Sequence, residues 1–236
     1  MSSNASALAT LGNIFVDPRK AFEDIKGHNA WLWLPLALVI IATVASVVAF
    51  YSHADTAAMM QAQLAASGQH PTPEQMQAMA KFQSPMFMMI SSSIGGAVGI
   101  VVVYLIIALY YMLVAKVGGW NEQRYGSWLS FAVWSGFPAI LAPLITLIVV
   151  LVRGGVATRF EQSDVTSLNA LLLHLPMSNP WYMLAAGISP FSVWALVLAI
   201  YGLTRWTRRG WGYAALVVLI PTVVFYGLII AFKALV

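Results

Sequence analysis

Five long apolar stretches, each almost free of ionisable side chains, constrain this chain more than anything else in its sequence. They fall at about 31–51, 87–114, 128–152, 183–203 and 213–234. About twenty apolar residues at 1.5 Å rise cross the roughly 30 Å hydrocarbon layer of a bilayer as a helix. No Asp, Glu, Lys, Arg or His lies well inside any of them, and Lys233 sits at an end. Lipid offers the backbone no hydrogen bonds, so a spanning segment must satisfy its own, as a helix does. A β-barrel would need strands of about ten residues with alternating polarity. Val39 to Val48 and Leu141 to Val152 are almost continuously apolar instead. The expected fold is all-α: a polytopic membrane helical bundle of about five transmembrane helices.

Composition agrees. Hydrophobic residues make up 60% of the 236 and charged residues 8%, against about a quarter charged in soluble domains. No polar stretch is long enough for an independent soluble core. The expected organisation is a cytoplasmic N-terminal amphipathic segment, 1–30, followed by a five-span membrane domain, 31–236. Cysteine is absent, which removes thiol nucleophiles, iron–sulfur clusters and cysteine zinc sites. The first thirty residues lack the basic start, short apolar core and cleavage site of a signal peptide.

Leu8, Leu11, Ile14 and Phe15 recur at helical spacing ahead of the first span. Asp17-Pro18 is a helix-start signal, with Asp17 as cap and Pro18 at the first helical position. Phe22 and Ile25 share one face of the helix that follows. Asp17, Pro18, Phe22 and Ile25 therefore mark a candidate membrane-surface helix; the alternative is a helix packed under the bundle.

Basic residues in short loops set orientation. With the N-terminus inside, the cytoplasmic segments hold eight, Arg19, Lys20, Lys26, Lys116, Arg124, Arg205, Arg208 and Arg209. The outer ones hold four, Lys81, Arg153, Arg159 and Lys233. Five spans then place the C-terminus on the external, periplasmic side of a cell inner membrane. The outer loops, 52–86 and 153–182, are the long ones. Thr72-Pro73-Glu74-Gln75 reads as a capping box starting a helix at Pro73. Gly154-Gly155 and Ser163-Asp164 precede a Leu-rich piece, 168–175, too short to span.

Within the spans, Ser91, Gly95 and Gly99 recur every fourth residue, with Ser92 and Gly96 beside them. Small residues at this spacing let helices approach closely, within one chain or between chains; packing within the bundle is favoured. Pro35, Pro138, Pro143, Pro190 and Pro221 fall in or beside spans. Pro138 and Pro143 are the kink candidates, because an interior proline removes a helix hydrogen bond. A broken helix can also expose carbonyls to a transported species.

Catalytic constellations are missing. No Gly-rich loop precedes a Lys-Ser or Lys-Thr pair, no Gly-x-Ser-x-Gly elbow occurs, and no His lies at depth to pair with a serine. The lack of intramembrane charge argues against an ion-coupled pump. His53, His70 and His174 share the outer side with Asp55, Glu74, Glu161 and Asp164, but a zinc site needs three or four such groups to converge. Seven of eleven methionines lie between Met59 and Met89, and these also serve as apolar helix faces. No catalytic residue, metal ligand or cofactor is expected.

Three pieces occur in a telling order. They are Phe15-x-Asp17-Pro18-x-x-Ala21-Phe22-x-x-Ile25, then Ser127 through Pro138, then Phe191-x-x-Trp194 with Gly202-Leu203. Over roughly 10–230 this order, with a basic turn and a further span after it, resembles the Yip-domain family, and its bacterial members in particular. These are membrane proteins named for interacting with Ypt/Rab GTPases. The resemblance implies five spans, an inside N-terminus, an outside C-terminus and a non-enzymatic role in membrane organisation or trafficking. The chain lacks the long N-terminal region and the Asp-Leu-Tyr-Gly-Pro stretch of the eukaryotic pattern, so no GTPase contact carries over. The expected partners are membrane lipids, and a second copy or other membrane proteins; nucleic acid is not among them.

Overall fold

The computed structural model describes residues 6–68, 71–120, 123–153 and 164–235. Those residues form helices and no strand: α1 (Ala7–Val16), α2 (Pro18–Ile25), α3 (Trp33–His53), α4 (Thr56–Ser67), α5 (Pro73–Phe82), α6 (Pro85–Val117), α7 (Tyr125–Gly136), α8 (Leu141–Arg153), α9 (Tyr182–Ala186), α10 (Pro190–Thr207) and α11 (Trp211–Leu235). Gly154, Gly155, Arg159, Glu161, Ser163 and His70 lie outside the described residues.

Among the described residues four helical segments are long and apolar enough to cross a membrane: Asn29–His53, Pro85–Val117, Tyr125–Arg153 and Trp211–Phe232. The fold is an all-α membrane helical bundle. The fourth expected stretch, 183–203, differs from its reading as one span. It is divided between α9, which ends at Ala186, and α10, which begins at Pro190 and runs to Thr207. Proline at a helix start needs no N–H partner, so it resets the helix inside a run of continuous apolarity.

Local chemistry sets the other helix starts. Asp17 caps α2, its Oδ1 accepting from Lys20 N at 3.2 Å, while its own N–H donates to Asn13 O at 2.8 Å. That pair of bonds makes the corner between α1 and α2. Thr72 and Gln75 form a reciprocal capping box at α5.

The chain divides into two compact units: Met1–Val39, Ile100–Ala139 and Phe191–Val236 form the first, and Ile40–Gly99 with Ile140–Pro190 the second. The first has an aromatic core in which Phe22, Trp128, Phe131, Trp134 and Leu203 are at most 1% exposed. In the second, Gly96 lies against Thr43, to which an added Cβ would approach at 3.7 Å, and Ser92 donates to the Tyr51 hydroxyl at 3.4 Å.

Candidate functional site: the aromatic core and its basic rim

Phe22 organises the first unit. The apolar face of α2, made by Ala21, Phe22 and Ile25, is completely buried. A Cβ added at Gly202 of α10 would stand 2.5 Å from the Phe22 ring and 2.8 Å from the Phe131 ring. The Phe22 ring enters the space a side chain at 202 would fill. Its centroid is 5.5 Å from that of Phe131, and Phe131 lies 5.0 Å from Trp206. Trp206 then donates its indole N–H to Phe22 O at 3.0 Å, fastening the last turn of α2 to α10. The face marked by Phe22 and Ile25 is thus covered by the chain itself and not turned to lipid, which is the packed-helix alternative. The apolar surface that does stand open belongs to α1, where Leu8 and Val16 are exposed.

The outer side of α2 is ionic. Glu23 accepts from Arg19 at 3.2 Å and from Arg205 at 3.3 Å. Hydrogen bonds from Arg19, then from Arg205, hold its carboxyl below the ordinary carboxylate range. The group is fully exposed, so water screens the attraction and the pair positions α2 more than it stabilises it.

Helix α7 supplies the middle of the core. Trp128 lies 5.4 Å from Trp120 and 5.6 Å from Trp206, ring to ring. Trp120 donates to the Tyr213 hydroxyl at 3.3 Å. The indole N–H of Trp128, that of Trp134, and the Ser130 hydroxyl are buried with no hydrogen-bond partner. Ser135 bonds back to Phe131 O at 2.8 Å. Gly136 is required by Tyr104, whose hydroxyl would stand 2.6 Å from an added Cβ.

The proline positions separate into three kinds. Pro138 sits in a 3-10 turn, Phe137–Ile140, that interrupts the third span, and Phe137 N–H bonds Trp134 O there. Pro143 lies in the first turn of α8, where backbone N–H groups lack an α-helical partner in any case. Pro221 alone is inside a helix among the described segments. It deprives Val217 O of its usual donor, and the Tyr110 hydroxyl donates there instead at 2.7 Å. A cleft of about 140 Å³ beside it is lined by Tyr104, Tyr111, Ser135, Gly136 and Thr222.

Ser91, Gly95 and Gly99 are exposed, and a Cβ at either glycine would meet nothing within 4 Å. The close approach made inside the second unit uses the neighbouring register, Ser92 and Gly96. Within the second unit Ser91, Gly95 and Gly99 make no such approach. Among the described residues no three His, Asp or Glu side chains stand together as a metal site would require.

The tryptophan-lined core, the basic rim and the apolar helices define an integral membrane protein whose first unit is held together by aromatic packing. The Yip1 domain family model matches residues 12–232, nearly the whole chain, and the protein belongs to that family. No curated protein and no solved structure matches it.

Sequence reasoning missed two features of this site. The lock between Phe22 and Gly202 joins residues 180 apart, and although both stand in motifs the sequence offers, nothing local pairs them. The tyrosine that covers the Val217 carbonyl is one of nine, and only the proline end of that bond is visible in sequence.

Proposed function

We propose that the protein is a non-enzymatic, multi-pass scaffold of the cell inner membrane that organises lipid or partner proteins around its first unit. In this reading residues 1–30 and the basic turns are cytoplasmic, the chain crosses five times, and the C-terminus is external. Its partners are membrane lipids and other membrane proteins or a second copy of itself. Binding of Rab-type GTPases is not part of the proposal.

The observation that carries it is the filling of the first unit by aromatic side chains. Phe22, Trp128, Phe131 and Trp206 pack ring against ring there, each at most 8% exposed. The experiment is affinity isolation from mild detergent. A stoichiometric membrane partner or a stable homo-oligomer, lost when residues 7–27 are removed, is the expected result. A monomer without partners, indifferent to that deletion, overturns the scaffold reading.

A transporter or channel for a neutral, lipidic or metal species is the second reading, favoured by the cleft beside Pro221. Against it, the carbonyl freed by Pro221 already accepts from Tyr110. Flux of a panel of neutral solutes through proteoliposomes decides between the two. Substrate-selective flux would displace the scaffold reading.

A further inference from the structure

The excess positive charge of the chain is gathered at one set of segments. Residues 1–30, 115–127 and 204–212 hold eight of the twelve basic residues and four of the eight acidic ones, and the remainder is balanced at four and four. Within the first unit two pockets open among these residues, of about 170 Å³ and about 530 Å³. Both are lined by Lys26, Trp206 and Arg208, and the smaller also by Trp128.

Lys26, Arg205, Arg208 and Arg209 stand among the lining residues, with Glu23 as the carboxylate. Glu23 is held by Arg19 and Arg205. Among the described residues neither Lys26 nor Arg208 has a carboxylate partner. Trp128 is 1% exposed and its buried indole N–H has no partner. Ammonium, guanidinium and indole N–H can only donate. Arg208 also holds φ at +56°, a left-handed conformation at a helix C-terminus where glycine is the unstrained choice. A bulky residue kept in such a conformation points to a use for its side chain.

We propose that these pockets, which share Lys26, Trp206 and Arg208, hold the phosphate of an anionic phospholipid headgroup. Lys26 and Arg208 would meet the phosphate oxygens as charge-assisted donors, with the Trp128 indole N–H as the buried third. A lipid is the source because the pockets lie at the ends of apolar helices α10 and α11, ringed by Trp120, Trp206 and Trp211. Tryptophan favours the depth at which headgroups lie. The inference deepens the scaffold reading, since gripping one lipid class sorts membrane around the protein. It rests only on the chain being membrane-embedded, so failure to isolate a protein partner leaves it standing.

The test is lipid retention by the full-length protein in detergent, read by native mass spectrometry. Phosphatidylglycerol should be retained about tenfold over phosphatidylcholine, because the choline ammonium neutralises the phosphate and is repelled by Lys26 and Arg208. Lys26→Gln with Arg208→Gln should abolish that preference, while Lys116→Gln, at an exposed helix end outside both pockets, should leave it unchanged. Arg208→Gly separates fold from binding, because relief of the left-handed strain should raise the melting temperature as retention falls. Trp128→Phe keeps the packed ring, removes the donor and should weaken retention severalfold. Millimolar inorganic phosphate should not displace the lipid. Equal retention of the two lipids overturns the proposal. So does a folded double variant, or a folded Arg208→Gly variant, that still prefers phosphatidylglycerol. Displacement by phosphate would assign the pocket to a soluble anion and also overturn it.

Discussion

At Gly202 a single hydrogen atom stands where any other residue would drive carbon into two aromatic rings. The Phe22 and Phe131 rings are packed on several sides and have little room to retreat. Gly202→Ala should cost about 1–3 kcal/mol, the usual penalty for overpacking a filled core. Thermal unfolding in detergent, followed by tryptophan fluorescence, checks it; an unchanged melting temperature would mean that the rings move aside freely. Tyr110 makes the complementary case. Tyr110→Phe keeps the ring and removes the donor to Val217 O, and a net loss of about 0.5–1.5 kcal/mol is expected for a hydrogen bond of this kind. Its dependence on Pro221 is the sharper outcome. In a Pro221→Ala background the backbone N–H returns to serve Val217 O, so Tyr110→Phe should then cost much less. A double-mutant cycle with no coupling between the two sites would separate the hydroxyl from the proline.

Among the elements, α2 is fixed by both ionic and apolar contacts. The Glu23 carboxyl titrates below its ordinary value of 4.5 because Arg19 and Arg205 favour its charged form. The unfolded chain therefore binds the proton more readily than the folded one between the two values, and stability rises with pH through that window. The contribution of Glu23 is fully present above about pH 4.5 and fades as pH falls through the lowered folded value. Glu23→Gln should remove this dependence, read as a flattened acid limb in the fluorescence of Trp206, which packs against α2. An acid limb identical in the variant would place the titration elsewhere. The start of α2 was legible in sequence because capping is local: Asp17 and the N–H it accepts from lie three residues apart. The partner of its apolar face was not, because hydropathy reports apolarity and says nothing of whether lipid or protein covers it. The same blindness affects Ser91, Gly95 and Gly99, whose small side chains promise a close approach while the neighbouring register makes it. It also hid the division of 183–203, since Gly187, Ile188 and Ser189 barely interrupt an apolar run and only Pro190 marks where a new helix starts.

For the whole molecule the topology turns on α10. Its 18 residues rise about 27 Å, close to the roughly 30 Å hydrocarbon layer, with Arg205 and Trp206 in its last turn to anchor one end in the interface. If α10 crosses, the segment before it and the basic turn after it face opposite sides, and α11 carries the chain back. The absence of cysteine makes this directly measurable with single cysteines and an impermeant thiol reagent added to intact cells. Gln77→Cys, Met177→Cys and Val236→Cys should react from outside, whereas Gln123→Cys and Arg209→Cys should react only after the membrane is opened. The comparison of positions 177 and 209 is decisive, because only α10 stands between α9 and the basic turn. Reaction of both from the same face would reduce the crossings to four. It would also bring both ends of the chain to one side and leave the cluster of Arg205, Arg208 and Arg209 on the face that the distribution of basic residues argues against.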